Sequence, residues 1–171
     1  MVNVLIKEKL STNTRELVRR SNTTDLAIKE LIDGKKIDEI IVVNGPGSFT
    51  SVRLGVTIAK TLAYTMDIPI KTITSLEVLA ISSEKLKVGI SDGNGCYLAE
   101  FDAQYKPLND FIYVNNSDFI NMKNKDEYYM EYLVDIEKVY LHMNNINPTN
   151  AHNVNPIYIK KIGVEIDKKS N

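Results

Sequence analysis

Apolar residues along this chain fall into short blocks, and the spacing inside the blocks switches repeatedly between strand-like and helix-like. Val2-Asn3-Val4-Leu5-Ile6 predicts a strand, Ser11 to Asn13 a turn, and Arg15 to Arg20 a more polar returning strand. Asn22-Thr23-Thr24-Asp25 predicts a helix start, with Asn22 as the cap. Leu26, Ala27, Leu31 and Ile32 then recur at helical spacing until Gly34. Ile40-Ile41-Val42-Val43 is continuously apolar and β-branched, which predicts a strand buried on both faces.

Gly45 to Thr50 predicts a sharp turn, followed by a helix from Ser51 to Met66. Pro69 separates it from a short strand, Ile70 to Ile73, and Thr74 or Ser75 is placed to cap a helix over Leu76 to Ile81. Lys87 to Ser91 and Cys96 to Phe101 predict a hairpin around Asp92-Gly93-Asn94-Gly95. Beyond residue 103 the pattern weakens. Phe111 to Val114 predicts a strand, Ile136 to Met143 a helix, Asn144 to Asn155 a loop, and Asn155 to Ile159 an extended segment. Strand–helix–strand units with antiparallel hairpins predict an α/β fold with a mixed sheet and flanking helices.

The length of 171 residues suits one domain, or one domain with a small appendage. Basic and acidic residues nearly balance, 21 against 22, and are interspersed, so the chain lacks the basic stripe of a protein that grips RNA alone. A single cysteine, Cys96, excludes an intramolecular disulfide. No apolar run approaches the roughly 18–20 residues a membrane span needs, and charges interrupt the first ten residues. These features lead us to expect a soluble, cytoplasmic protein with no membrane role.

The most informative stretch is Val43-Asn44-Gly45-Pro46-Gly47-Ser48-Phe49-Thr50-Ser51-Val52-Arg53-Leu54-Gly55. A buried strand enters a glycine-rich turn and then a helix start, where exposed amides attract anions. The same pattern also serves as a tight connection in which glycine only solves a steric problem, with Gly45 and Gly47 expected at backbone angles that other residues tolerate poorly and Thr50 placed to cap the following helix. A Walker A loop is excluded, since no Lys-Ser or Lys-Thr follows the glycines; a dinucleotide fingerprint is excluded because Thr50 stands at its third glycine.

Gly45, Pro46, Gly47, Ser48, Phe49 and Thr50, with Arg53 and Gly55, closely resemble the signature of the TsaB (YeaZ) family. Thr74 to Ala80, Ser91 to Tyr97 and Asn155 to Lys160 resemble later family segments in the same order. The resemblance implies a reduced actin-like, Hsp70-like ATPase fold of the RNase H-like kind. It further implies a core domain over 1–103, and a shortened second subdomain with the C-terminal segment over 104–171. Family members usually open with an Ile-Asp-Thr-Ser strand, and this chain reads as beginning at the second strand. Ser51 stands where a glycine is usual.

No catalytic set stands out. His142 and His152 are ten residues apart, without the i and i+4 spacing of helical metal ligands, and the predicted 23–33 helix lacks the His pair of the family's catalytic paralogue. No metal is expected. Asp92 reads as a turn residue, Cys96 as a packed thiol, and Ser48 lacks the Gly-x-Ser-x-Gly frame of a nucleophile elbow.

The helix after the signature is apolar on two sides. Val52, Gly55, Val56, Ala59, Ala63 and Met66 form one stripe; Leu54, Ile58 and Leu62 form much of another. Such a helix is either sandwiched within its own domain or covered by a partner. The family resemblance implies a partner. That stripe, with Ala27 and Leu31 of the preceding helix, would meet a TsaD-type catalytic subunit, or a second copy when that subunit is absent. It further implies a TsaE-type ATPase in the assembly, ATP used by the assembly, no cofactor on this subunit, and tRNA reached only through the complex. The expected role is thus a non-catalytic scaffold. The rival readings are a stand-alone actin-like nucleotide hydrolase and a self-associating structural protein.

Overall fold

The computed structural model describes residues 3–8 and 15–19 as strands and residues 36–159 in full; the predicted 23–33 helix, with Ala27 and Leu31, lies outside the described residues. Strands β1 (Asn3–Glu8), β2 (Arg15–Arg19), β3 (Ile37–Val43) and β4 (Ile70–Ile73) form one sheet in the order β2-β1-β3-β4. β1 pairs antiparallel with β2 and β3, whereas β3 and β4 run parallel, so the sheet is mixed. The β3–β4 crossover is α1 (Phe49–Met66). After α2 (Ser75–Ser83) come β5 (Lys87–Ser91), β6 (Gly95–Glu100) and β7 (Ile112–Asn115), a separate antiparallel sheet in sequence order. Two short helices follow, α3 (Asn116–Asn121) and α4 (Ile136–Met143).

Alternation along β3 divides the core. Ile40 and Val42 point to one face and pack with Val52, Val56, Ala59 and Ala63 of α1. Ile41 and Val43 point to the other and pack with Ile73, Val78, Ile81, Val139 and Met143. The prediction of a strand buried on both faces holds, because α1 covers one side and α2 with α4 the other. Helix α2 is itself apolar all round. Ile81 and Val78 face the first sheet, while Leu76, Leu79 and Ala80 join Val88, Tyr97, Ala99 and Phe101 of the second. Thr74 caps it as expected: its hydroxyl accepts from Glu77 N at 3.1 Å, and Glu77 Oε2 accepts from Thr74 N at 2.7 Å.

One buried charge pair was not foreseen. Lys71, only 7% exposed, leaves β4 on the α4 side and meets Glu39 Oε2 at 3.0 Å. Its ammonium also donates to the Met143 carbonyl at 2.9 Å, at the end of α4 where carbonyls lack helical partners. Removing one member of such a pair strands the other in the core. Lys71→Met should therefore cost about 3–5 kcal/mol in urea unfolding. Adding Glu39→Leu should recover much of that loss; a double variant weaker than Lys71→Met would contradict the pairing.

Candidate functional site

β3 delivers the chain into the glycine-rich turn, whose backbone is tied on two sides. On one side Asn44 N–H donates to the Ile73 carbonyl at 3.0 Å, and the Gly45 carbonyl accepts from Ser75 N–H at 2.9 Å. The Ser75 hydroxyl donates to the Pro46 carbonyl. On the other side residues 155–157 lie across the turn. Ile157 N–H donates to the Asn44 carbonyl at 2.7 Å, and Asn44 Nδ2 donates to the Asn155 carbonyl at 3.1 Å. Gly45 has φ +108°, and a β-carbon there would stand 2.8 Å from the Ile157 carbonyl oxygen. Glycine is thus required at 45 on two counts.

Gly47 corrects our expectation. It is not at positive φ, and a β-carbon would meet only Val52 Cγ2 at an ordinary 3.5 Å. Thr50 does not cap the helix either. Ser48 occupies the N-cap, without a side-chain hydrogen bond, and Thr50 already lies in the first turn. Three hydroxyl residues sit within four positions here, so spacing alone did not single out the cap. The helix start is instead held by rings. Phe49 packs on Tyr158 with centroids 5.0 Å apart, and the Arg53 guanidinium lies 5.2 Å over Phe49. Tyr158 and Asn155 were legible only as a family-like closing segment, with nothing in the sequence to place them against the turn.

The α1 stripe assigned to a partner needs correction as well. Val52, Gly55, Val56, Ala59 and Ala63 are buried under the chain's own sheet, and of that set only Met66, 38% exposed, is left at the surface. Small residues on this stripe let α1 lie close against β3, so they serve the fold. The outward face is the upper part of the other stripe, with Leu54 43% exposed and Ile58 half-buried, whereas Leu62 packs against the chain's own core. Beside it run Thr57, Thr61 and Thr65. The Thr61 hydroxyl donates to the Thr57 carbonyl at 2.9 Å and Thr65 to the Thr61 carbonyl at 2.8 Å. With these hydroxyls bonded back along the helix, the face is less polar than its composition suggests.

The turn is poorly suited to a phosphate. The Asn44 Oδ1 at its base, buried and without a hydrogen-bond partner, is an acceptor, and the Gly45 and Pro46 carbonyls point at Ser75. The other candidates are dispersed. His142 packs edge-on to Tyr105 and His152 edge-on to Tyr64, with centroids 5.9 and 5.3 Å apart. Asp92 Oδ1 accepts from Asn94 N and Gly95 N, each at 3.0 Å, and from the Tyr113 hydroxyl, which is the turn role expected of it. Cys96 is buried. Burial first, and the Asp92 charge second, raise its thiol above the ordinary range. Among the described residues no three His, Cys, Asp or Glu side chains converge.

The two glycines separate by substitution. Gly45→Ala should lose about 1–3 kcal/mol or more in denaturant unfolding, from backbone strain and the Ile157 contact. Gly47→Ala should fall within about 1 kcal/mol of the parent. Equal losses at both positions would contradict the asymmetry.

Residues 19–113, more than half of the chain, match the family model described as TsaD: tRNA N6-adenosine threonylcarbamoyltransferase. The chain is 51% identical over 59 residues to the tRNA threonylcarbamoyladenosine biosynthesis protein TsaB of Bacillus subtilis (strain 168), which is 34% of this chain and 23% of that protein. It is 33% identical over 82 residues to the protein of the same name from Haemophilus influenzae, 44% of this chain and 35% of the relative. It therefore spans about a quarter to a third of the curated relatives it matches. Among solved structures it is similar to YeaZ from Pseudomonas aeruginosa, with TM-score 0.61, 14% identity, and 84% and 88% of the two chains covered. A second structure, of a protein with similarity to peptidase YEAZ from Pseudomonas aeruginosa, gives TM-score 0.60 at 15% identity over 86% and 88%. At such identities the two structures establish the shared fold, a mixed α/β architecture. With its family match over residues 19–113 and its curated relatives named TsaB, the chain belongs to the TsaD family of proteins as one of its TsaB (YeaZ) members.

Proposed function

We propose that this chain is a non-catalytic docking subunit in tRNA threonylcarbamoyladenosine biosynthesis, and that it holds a TsaD-type transferase subunit on the outer face of α1. The process comes from the printed names of its relatives. The docking role rests on one observation: α1 keeps a second apolar stripe, Leu54 and Ile58 beside the back-bonded threonines, after its first stripe is used by the core. An i, i+4, i+8 ridge of threonines is narrow enough for another helix to lie close against it.

On this reading the turn and the 155–158 segment orient α1 and do no chemistry. ATP is used by the assembly through a TsaE-type ATPase, this subunit holds no cofactor of its own, and tRNA is met only within the complex. Without the transferase the same face pairs with a second copy. Met66, exposed at the end of the inner stripe, and Ala27 and Leu31 are assigned to the interface by family resemblance alone.

Ile58→Asp tests the face. A carboxylate in a desolvated contact costs at least about 2 kcal/mol, or roughly thirtyfold in affinity. We expect Ile58→Asp to unfold like the parent but to elute as a monomer and fail to bind the transferase in calorimetry. Ala59→Glu should instead unfold the chain, because Ala59 is fully buried in its own core. Parent-like association by a folded Ile58→Asp would refute the assignment.

Ser48→Ala tests the absence of chemistry in the turn, since its side chain makes no cap bond. The reconstituted assembly should modify tRNA at the parent rate with this variant. Loss of modification with assembly intact would make the turn catalytic.

A further inference from the structure

One flank of α1 is chemically unlike the rest of it. Phe49, Arg53, Lys60 and Tyr64 recur there at helical spacing, and the C-terminal segment adds Tyr158 and His152 alongside. Phe49 is 44%, Tyr158 45% and Tyr64 67% exposed. Lys60 Nζ donates to the His152 carbonyl at 3.2 Å, which among the described residues leaves two of its three protons unused. A shallow cavity of about 210 Å³ opens there between Lys60, Thr61, Tyr64, Ala151 and His152. Among the described residues no carboxylate lies within ion-pair distance of Arg53 or Lys60.

Two cations, two helical turns or ~10 Å apart, are thus set among exposed rings with no counter-charge among the described residues. Arginine and tyrosine are residues that dominate binding energy at protein interfaces. A guanidinium stacked on a ring still presents its edge donors in one plane, the geometry that receives a carboxylate. We infer that this flank receives an acidic segment of the transferase subunit, its carboxylates meeting Arg53 and Lys60 across the aromatic strip. The assignment rests on the docking reading above and adds to it the charge of the partner's surface. RNA would offer rings and anions too, but two cations displace only about two counterions, and the chain carries a net charge of −1.

The test uses the full chain and the purified transferase subunit, with Kd measured at about 0.05 M and 0.5 M salt. Screening removes exposed charge attraction across this range. The parent should weaken as salt rises. Arg53→Glu/Lys60→Glu should bind about tenfold or more weakly at low salt and lose most of the salt dependence. Lys60→Glu alone leaves the Phe49 stack in place and should shift Kd in the same direction by less. Ile58→Asp separates the two claims. If it abolishes binding while the charge reversals leave both Kd and its salt dependence unchanged, the docking face stands and the acidic partner surface is wrong. No binding by the parent overturns both. Direct tRNA binding by the chain that the double variant loses, with transferase binding intact, would overturn the protein assignment in favour of RNA.

Discussion

Ile157 N–H donating to the carbonyl of Asn44, with Ser75 bonded to Gly45 and Pro46 on the other side, fixes the point from which the rest of the molecule is laid out. β3 is buried on both faces, so its exit must satisfy its backbone groups within the protein. Here they are satisfied by two segments remote in sequence. One is the start of α2, which leads to the second sheet. The other is the C-terminal segment, which crosses the turn and brings Tyr158 onto Phe49. Because the Ile157 carbonyl lies where a β-carbon on Gly45 would stand, the turn, the helix start and the C-terminal segment have one joint position.

That position sets the roll of α1 about its own axis. Val52, Val56, Ala59 and Ala63 meet Ile40 and Val42, and the small side chains allow the helix to settle close to the sheet. A helix rolled this way must present Leu54, Ile58 and the threonine ridge outward. The exposed outer stripe of α1 is therefore a consequence of the packing beneath it. The ring-and-cation flank follows from the same roll, since Phe49, Arg53, Lys60 and Tyr64 fall on the side where the C-terminal segment runs.

Much of the fold was legible because local signals agreed with tertiary demands. Pro69 and Thr74 bracket β4, and the predicted bounds of β4 and of α4 are those observed. The two-sided burial of β3 followed from its unbroken β-branched run. What failed needed knowledge of neighbours. Both stripes of α1 are apolar, and only the sheet position shows that the small-residue stripe faces inward. Nothing in Ile70-Lys71-Thr72-Ile73 marks the lysine as buried; the Met143 carbonyl that receives it lies 72 residues away. Gly45 and Gly47 look equivalent in sequence, yet only Gly45 meets the C-terminal segment. That segment could not be placed because it forms no strand or helix, and its hold on the turn is one backbone bond, one bond from the Asn44 side chain and one ring pair.

Amide hydrogen exchange on the chain with and without the transferase subunit tests the central claim most directly, because it reports where a partner sits without altering any residue. The account predicts slowed exchange over α1 and over the turn and C-terminal segment that hold it, with the β5–β6 hairpin unchanged. Protection centred on the β5–β6 hairpin, with α1 exchanging as in the free chain, would contradict it.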